Sequence, residues 1–217
     1  MAAREASDLS PLTIRVSPVR RLVQLLGGLT LYGASMAMLV RAHLGLTPWD
    51  VLHEGLHKHL PLSFGVITAI TAVIVLLAWI PLRQRPGIGT VANVIVIALA
   101  VDLTLALVPQ LDGLVLRSAV MAGGIVLNGV ATACYIGARL GPGPRDGLMT
   151  GLVARTGGSV RLVRTLLEVA VVVAGWLLGG TFGVGTVLYA VSIGPLAQAF
   201  LPALTIRADR AGARAAD

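Results

Sequence analysis

Long apolar runs without the alternating pattern of a strand dominate this sequence. Each approaches the roughly 20 residues that an α-helix needs to cross about 30 Å of hydrocarbon. The six runs are Leu22–Val40, Val66–Ile80, Ile88–Val108, Ser118–Ala138, Val160–Leu178 and Val184–Ile206. They predict an all-α, polytopic membrane helix bundle with six transmembrane helices. Runs of this length exclude an outer-membrane barrel, a disordered chain and a soluble globular enzyme.

Composition and charge support this class and indicate an orientation. The chain has 217 residues, of which 56% are hydrophobic and 12% are charged, against roughly 25% charged residues in an ordinary soluble domain. With six spans, fourteen of the 17 Lys and Arg residues fall on one side, and only Arg41, Lys58 and Arg117 fall on the other. The positive-inside rule then places both termini, the tails 1–19 and 207–217, in the cytoplasm. The basic residues are divided among loops, so the expected partner is the lipid bilayer and not nucleic acid.

The chain is an internal duplication. At an offset of 96 residues, Arg21–Leu107 aligns with Arg117–Ala203 without a gap, and 25 of the 87 aligned pairs are identical. We define repeat 1 as residues 20–108 and repeat 2 as residues 117–206. Because each repeat holds three spans, an odd number, repeat 2 is predicted to enter the membrane from the opposite face. Such inverted repeats occur in many secondary transporters, but also in proteins that transport nothing known.

Each repeat also contains a short segment that begins Pro-x-Asp, at 48–59 and 144–155. Proline suits the first position of a helix, and an acid two residues later favours its N-terminus. One interpretation is a capped helix in the membrane interface, with a solvated polar face. The other is a re-entrant helix whose N-terminus and acid face a central cavity. The second interpretation predicts a solute site formed by Pro48, Asp50, Pro144, Arg145 and Asp146, together with Asn93 and Tyr189.

Two further groups of residues have candidate chemistry. Glu168 lies within a span, one turn after Arg164, and the two form either a structural ion pair or a proton or cation relay. His53-Glu54-Gly55-Leu56-His57 matches the zinc-peptidase signature H-E-x-x-H. Repeat 2 has no counterpart of this signature, so we interpret it chiefly as part of the solvated face, with metal binding by His53 and His57 as a minor alternative. No glycine-rich phosphate loop with lysine is present, and no cofactor is expected.

Four strings, in order, resemble the YczE-like family of bacterial integral membrane proteins, which is related to the YitT/YyaS group. They begin at Leu44, Gly87, Gly141 and Gly183 and read LGLTPWDVLH, GIGTVAN, GPGPRDGLM and GVGTVLYA. The resemblance extends from about Arg20 to Leu204. It implies a multi-pass protein of the bacterial inner membrane, a group usually regarded as candidate transporters without an assigned substrate.

The leading hypothesis is therefore a small secondary transporter, or permease, for a small polar or charged solute, and not an enzyme. Because Arg145 replaces Trp49 in the second copy, an anionic solute is preferred. One alternative is a membrane scaffold that binds a membrane protein or a second copy of the chain. A less favoured alternative is an intramembrane zinc metallopeptidase using His53, Glu54 and His57.

Overall fold

The computed structural model describes residues 16–206, and within this range all regular secondary structure is helical. The predicted tails 1–19 and 207–217 lie outside the described residues, apart from positions 16–19. The eight helices are α1 (Pro18–Ala42), α2 (Pro48–His59), α3 (Phe64–Leu82), α4 (Ile88–Leu107), α5 (Leu114–Gly137), α6 (Pro144–Thr156), α7 (Val160–Leu177) and α8 (Val184–Leu204). The all-α prediction is confirmed, and both short segments are separate helices.

Local sequence signals explain where these helices begin. α1 starts at Pro18, four residues before its apolar run, because proline fits the first helical position and the following residues continue the helix. The hydroxyls of Ser63 and Ser159, which are 96 residues apart, accept hydrogen bonds from the backbone of Val66 and Leu162 and cap α3 and α7. Corresponding positions of the two repeats therefore start corresponding helices.

Helices α1 and α5 pack along each other at the centre of the bundle, with α4 against α1 and α8 against α5. Glycine permits the close approach: a Cβ added at Gly28 would lie 2.9 Å from the backbone nitrogen of Tyr135 on α5. A Cβ added at Gly33 would lie 2.8 Å from the carbonyl oxygen of Ile97 on α4. Small residues at such positions let helix backbones approach closely in a membrane.

Each short helix packs mainly against a long helix of the other repeat. Helix α2 packs mainly against α7 of repeat 2, and α6 packs mainly against α3 of repeat 1. In one interface, a Cβ added at Gly147 of α6 would lie 2.0 Å from the ring of Trp79. In the other, a Cβ added at Gly175 of α7 would lie 2.5 Å from the backbone carbon of Val51. At the offset of 96, Trp79 corresponds to Gly175 and Val51 corresponds to Gly147. The two interfaces therefore use the same pair of positions, with the large residue on the long helix in one and on the short helix in the other.

Paired hydrogen bonds join the repeats through their loops. The Gly89 N–H donates to the Leu140 carbonyl at 2.9 Å, and the Gly185 N–H donates to the Leu44 carbonyl at 2.8 Å. Both bonds connect the start of a third long helix to the loop before the other repeat's short helix. Donors and acceptors are each 96 residues apart, so the same contact forms twice.

A pair of arginines repeats the same relationship. Arg21 donates through Nε to the Ala138 carbonyl and through Nη2 to the Arg139 carbonyl, both at 2.9 Å. Arg117 donates to the carbonyls of Ala42 and His43 at 2.6 and 2.8 Å. Each guanidinium thus binds carbonyls at the C-terminus of the opposite repeat's first helix, where cations are favourable.

Five of the described helices are long and apolar enough to cross a membrane: α1, α3, α4, α5 and α8. The sixth predicted span, Val160–Leu178, corresponds to α7, which has 18 residues. Its 18 residues include Arg161, Arg164 and Glu168, whereas each of the other five helices contains an 18-residue stretch with at most two charged residues.

Candidate functional site

The short helices α2 and α6 begin in loops that are held by the other repeat. Gly45 and Gly141 both adopt φ +125°, a conformation that favours glycine. In the loop at Gly45, the backbone N–H of Leu46 donates to Thr186 Oγ1 at 3.1 Å. In the loop at Gly141, the carbonyl of Pro142 accepts a hydrogen bond from Thr90 Oγ1 at 2.7 Å. Each short helix therefore starts from a position fixed by the opposite repeat.

Asp50, in the first turn of α2, is completely buried, and each of its carboxylate oxygens has a hydrogen-bond partner. Its Oδ2 accepts a hydrogen bond from Thr47 Oγ1 at 2.7 Å, and its Oδ1 lies 3.0 Å from Nδ1 of His53. Because a carboxylate only accepts hydrogen bonds, Nδ1 is the nitrogen of His53 that carries the proton. Asp50 thereby fixes the tautomer of the imidazole.

His53 is 1% exposed, and its other ring nitrogen, Nε2, has no hydrogen-bond partner among the described residues. Thr68 Oγ1 lies 3.3 Å from Nδ1 but donates to the Phe64 carbonyl. Burial lowers the pKa of His53, and the hydrogen bond to Asp50 opposes that shift. The imidazole is thus held with Nδ1 protonated and Nε2 as an unused acceptor.

Asp146, the counterpart of Asp50 on α6, has different partners. Its residue at the N-cap is Gly143, which lacks the hydroxyl of Thr47. Its Oδ2 instead accepts a hydrogen bond from the hydroxyl of Tyr135 on α5 at 2.9 Å, and the side chain is half-buried. The two acids therefore occupy matching positions but different environments.

The side chains that precede these acids meet each other. The guanidinium carbon of Arg145 lies 4.9 Å from the ring centre of Trp49, within the range of a cation–π interaction. Trp49 and Arg145 are 96 residues apart, so a residue contacts its own counterpart from the other repeat. Such a contact lies where the symmetry relating the repeats brings equivalent positions together.

Two cavities adjoin this contact. Cavity A, of about 80 Å³, is bordered by His53, Thr68, Thr71 and Asn93 from repeat 1 and by Pro144 from repeat 2. Cavity B, of about 270 Å³, is bordered by the corresponding Met149, Arg164, Leu167, Tyr189 and Pro48. Five residues border both cavities: Tyr32, Trp49, Tyr135, Arg145 and Asp146. Ten residues of cavity A have their counterpart 96 positions away in cavity B, so the cavities are corresponding features of the repeats.

The residues predicted for the solute site lie at or beside these cavities. Asn93 and Pro144 border cavity A, Pro48 and Tyr189 border cavity B, and Arg145 and Asp146 border both. Asp50 contacts cavity A only through His53. Arg164 donates to Glu168 Oε1 at 2.9 Å beside cavity B, which is the predicted i,i+4 pair.

Three residues at the cavities escaped the sequence reasoning. Tyr32, Trp49 and Tyr135 border both cavities. Tyr32 and Tyr135 lie within apolar runs, where an aromatic residue usually indicates only packing. The offset of 96 offers a signal for one of them, because Trp49 aligns with Arg145 inside otherwise matching strings. No such signal marks Tyr135, which aligns with Leu39.

The solvated polar face predicted for α2 is wrong. Asp50, His53 and Glu54 are buried, because Glu54 accepts the backbone N–H of Thr181 and the other two bond each other. His57 is exposed, and its Nδ1 donates to the Leu62 carbonyl. Among residues 16–206, no three His, Cys, Asp or Glu side chains gather in a way that could hold a metal ion.

Comparisons with known proteins give relatives along most of the chain. An uncharacterized protein of Haemophilus influenzae is 41% identical over 177 residues, which cover 82% of this chain and 81% of that protein. The uncharacterized membrane protein YczE of Bacillus subtilis is 34% identical over 172 residues, covering 79% and 80%. YyaS of Bacillus subtilis, also uncharacterized, is 26% identical over 179 residues, covering 81% and 89%. No solved structure matches the chain.

The family model that matches is DUF6198, described as a family of unknown function, and it covers residues 19–202. The apolar helices and the relationship to the membrane protein YczE agree that this is a membrane protein. The resemblance inferred from the four sequence strings is confirmed, and the chain belongs to the YczE-like family, DUF6198.

Proposed function

We propose that this protein is a secondary transporter for a small polar or charged solute, located in the bacterial inner membrane with both termini in the cytoplasm. Its two repeats form inverted three-span halves, and α2 and α6 are re-entrant helices. The observation that carries the proposal is the pair of corresponding cavities that meet at Trp49 and Arg145.

Corresponding cavities have a particular meaning in an inverted repeat. A two-fold axis in the membrane plane exchanges the two faces of the membrane, so cavities related by it open towards opposite faces. The unequal volumes of cavities A and B describe one of two interconverting conformations, and exchange of the roles of the repeats gives the other. Trp49, Arg145 and the three other shared residues then separate the two access routes.

The proposal requires α7 to be the sixth span. Eighteen helical residues extend about 27 Å, close to the thickness of the hydrocarbon core. The bond between Arg164 and Glu168 pairs two of its charges, and α2 covers part of its surface. Ionisable residues within membrane-spanning helices usually face the interior of the bundle or a water-filled cavity and pair with one another.

Cysteine labelling tests both topology and access. The background variant is Cys134→Ala, because Cys134 is the chain's one cysteine. Lys58→Cys and Ala154→Cys mark exposed, corresponding positions on α2 and α6. In oriented vesicles, a membrane-impermeant maleimide is expected to label Lys58→Cys from the outside and Ala154→Cys from the cytoplasmic side. Labelling of both from one side contradicts the inverted repeat.

Thr71→Cys and Leu167→Cys then report on the cavities themselves. Alternating access predicts that these corresponding positions, in cavities A and B, react from opposite sides of the membrane. If neither reacts from either side in folded protein, and a membrane protein co-purifies stably, the scaffold hypothesis is favoured instead. If both react from the same side, the protein has one vestibule and not two alternating routes.

A further inference from the structure

We propose that cavity A binds a small solute that combines an anionic group with a hydrogen-bond donor, the chemistry of a short hydroxy acid or amino acid. The anionic group binds Arg145 and the donor binds Nε2 of His53. This inference rests on the proposed function, because it assigns a solute class to one of the same cavities.

Arg145 supplies the anion-binding half of the site. Its guanidinium carbon lies over the Trp49 ring, 4.9 Å from the ring centre, and this contact uses none of the N–H groups as hydrogen-bond donors to oxygen. Among the described residues, no oxygen accepts a hydrogen bond from this guanidinium, and no carboxylate forms an ion pair with it. A planar fork of N–H donors matches the two oxygens of a carboxylate.

His53 supplies the other half, and it requires a donor. Its Nδ1 is engaged by Asp50, so the neutral ring presents Nε2 as an acceptor. This atom is buried and has no hydrogen-bond partner among residues 16–206, and His53 is one of the residues that border cavity A. A buried acceptor without a partner is unfavourable, so a solute that brings an O–H or N–H group satisfies it.

The other groups at cavity A favour the same class of solute. Asp146 borders the cavity with one carboxylate oxygen bonded to Tyr135, so a purely anionic solute meets a negative charge beside Arg145. Asn93 also borders the cavity, and its amide can both donate and accept. Cavity A, at about 80 Å³, accommodates only a small solute in this conformation.

Matched ligands test the inference with the full-length chain. Isothermal titration calorimetry at pH 8, where His53 is neutral, compares acetate with glycolate and glycine. Acetate has the carboxylate alone, glycolate adds a hydroxyl donor, and glycine adds an ammonium donor. We expect glycolate or glycine to bind at least tenfold more tightly than acetate, because a site built around a hydrogen bond rejects the analogue that lacks it. The tighter of the two distinguishes a hydroxy acid from an amino acid.

Variants assign the effect to the two residues. Arg145→Gln should abolish binding of all three probes. His53→Met, which copies Met149 of repeat 2, should remove the preference over acetate. Gly27→Ala, which lies away from both cavities, should leave all three affinities unchanged.

The opposite results overturn the inference. Equal affinity for acetate, glycolate and glycine, no binding of any probe to folded protein, or an unchanged preference in His53→Met each refutes it. The labelling of Thr71→Cys and Leu167→Cys is independent of any solute. Two-sided labelling without probe binding therefore rejects the solute class and keeps the transporter, whereas probe binding with one-sided labelling rejects alternating access.

Discussion

Close packing between α6 and α3 predicts that Gly147→Ala destabilises the protein. A Cβ at Gly147 would lie 2.0 Å from Cζ2 and 2.5 Å from Cη2 of Trp79. Carbon atoms in contact normally lie about 3.5–4.0 Å apart, so helix and ring must separate by about 1.5 Å or more. Trp79 is 2% exposed, and its Nε1 donates to the Pro144 carbonyl at 2.9 Å, so the indole has no space to rotate away.

The magnitude follows from three contributions. Over-packing a well-packed interior costs about 1–3 kcal/mol. Loss of the hydrogen bond between Trp79 and Pro144 would add about 1 kcal/mol. The higher helix propensity of alanine returns about 1 kcal/mol. The expected net decrease in the free energy of unfolding is about 1–3 kcal/mol, which corresponds to a decrease in Tm of about 2–12 °C for a chain of this size.

Thermal unfolding in a single detergent, followed by circular dichroism, measures this decrease. Gly27→Ala is the matched control, because Gly27 is also helical but has nothing within 4 Å of an added Cβ. It should leave Tm unchanged or raise it. In the double variant Trp79→Gly with Gly147→Val, the interface takes the sizes found between Gly175 and Val51, and it should recover part of the loss caused by Trp79→Gly alone. If Gly147→Ala is as stable as Gly27→Ala, α6 does not pack against Trp79 as described.

Two further predictions concern hydrogen bonds between the elements. Tyr135→Phe removes the one hydroxyl that donates to Asp146 among the described residues. It should lower the free energy of unfolding by about 1 kcal/mol. Thermal unfolding of the variant beside the wild type measures this decrease, and an unchanged Tm would contradict it. Arg21 and Arg117 both bind carbonyls of the opposite repeat, but Arg21 is completely buried and Arg117 is half-buried. Arg21→Gln should therefore lower Tm more than Arg117→Gln. Equal decreases in Tm would show that burial does not determine the loss of stability.

Much of the helical architecture could be predicted from the sequence because its causes are local. The apolar runs fix where the long helices lie, and proline at positions 48 and 144 fixes where the short ones begin. Disagreements are confined to the ends, where polar residues such as Arg20 and Arg21 continue a helix beyond its apolar run. The offset of 96 also identified some of the residues that border the cavities, among them Asn93, Pro144 and Asp146.

The rest depends on contacts between distant parts of the chain. Nothing in the local pattern of α2 indicates that Thr181 covers Glu54, so its polar face was expected to be solvated. The signature H-E-x-x-H directed attention to a metal, whereas the decisive partner of His53 is Asp50, one turn earlier. Which ring nitrogen remains free follows only from that geometry.

The duplication constrains packing more strongly than chemistry. Positions that join the repeats, such as Gly89 with Gly185 and Arg21 with Arg117, keep both identity and contact, because each contact must form twice for the halves to fit. At the cavities, several counterparts with polar side chains differ: His53 corresponds to Met149, and Thr68 corresponds to Arg164. A solute that meets cavity A and then cavity B therefore meets different groups on the two routes. It follows that substitutions at the matched positions should act mainly on stability, and substitutions at the unmatched ones mainly on solute binding.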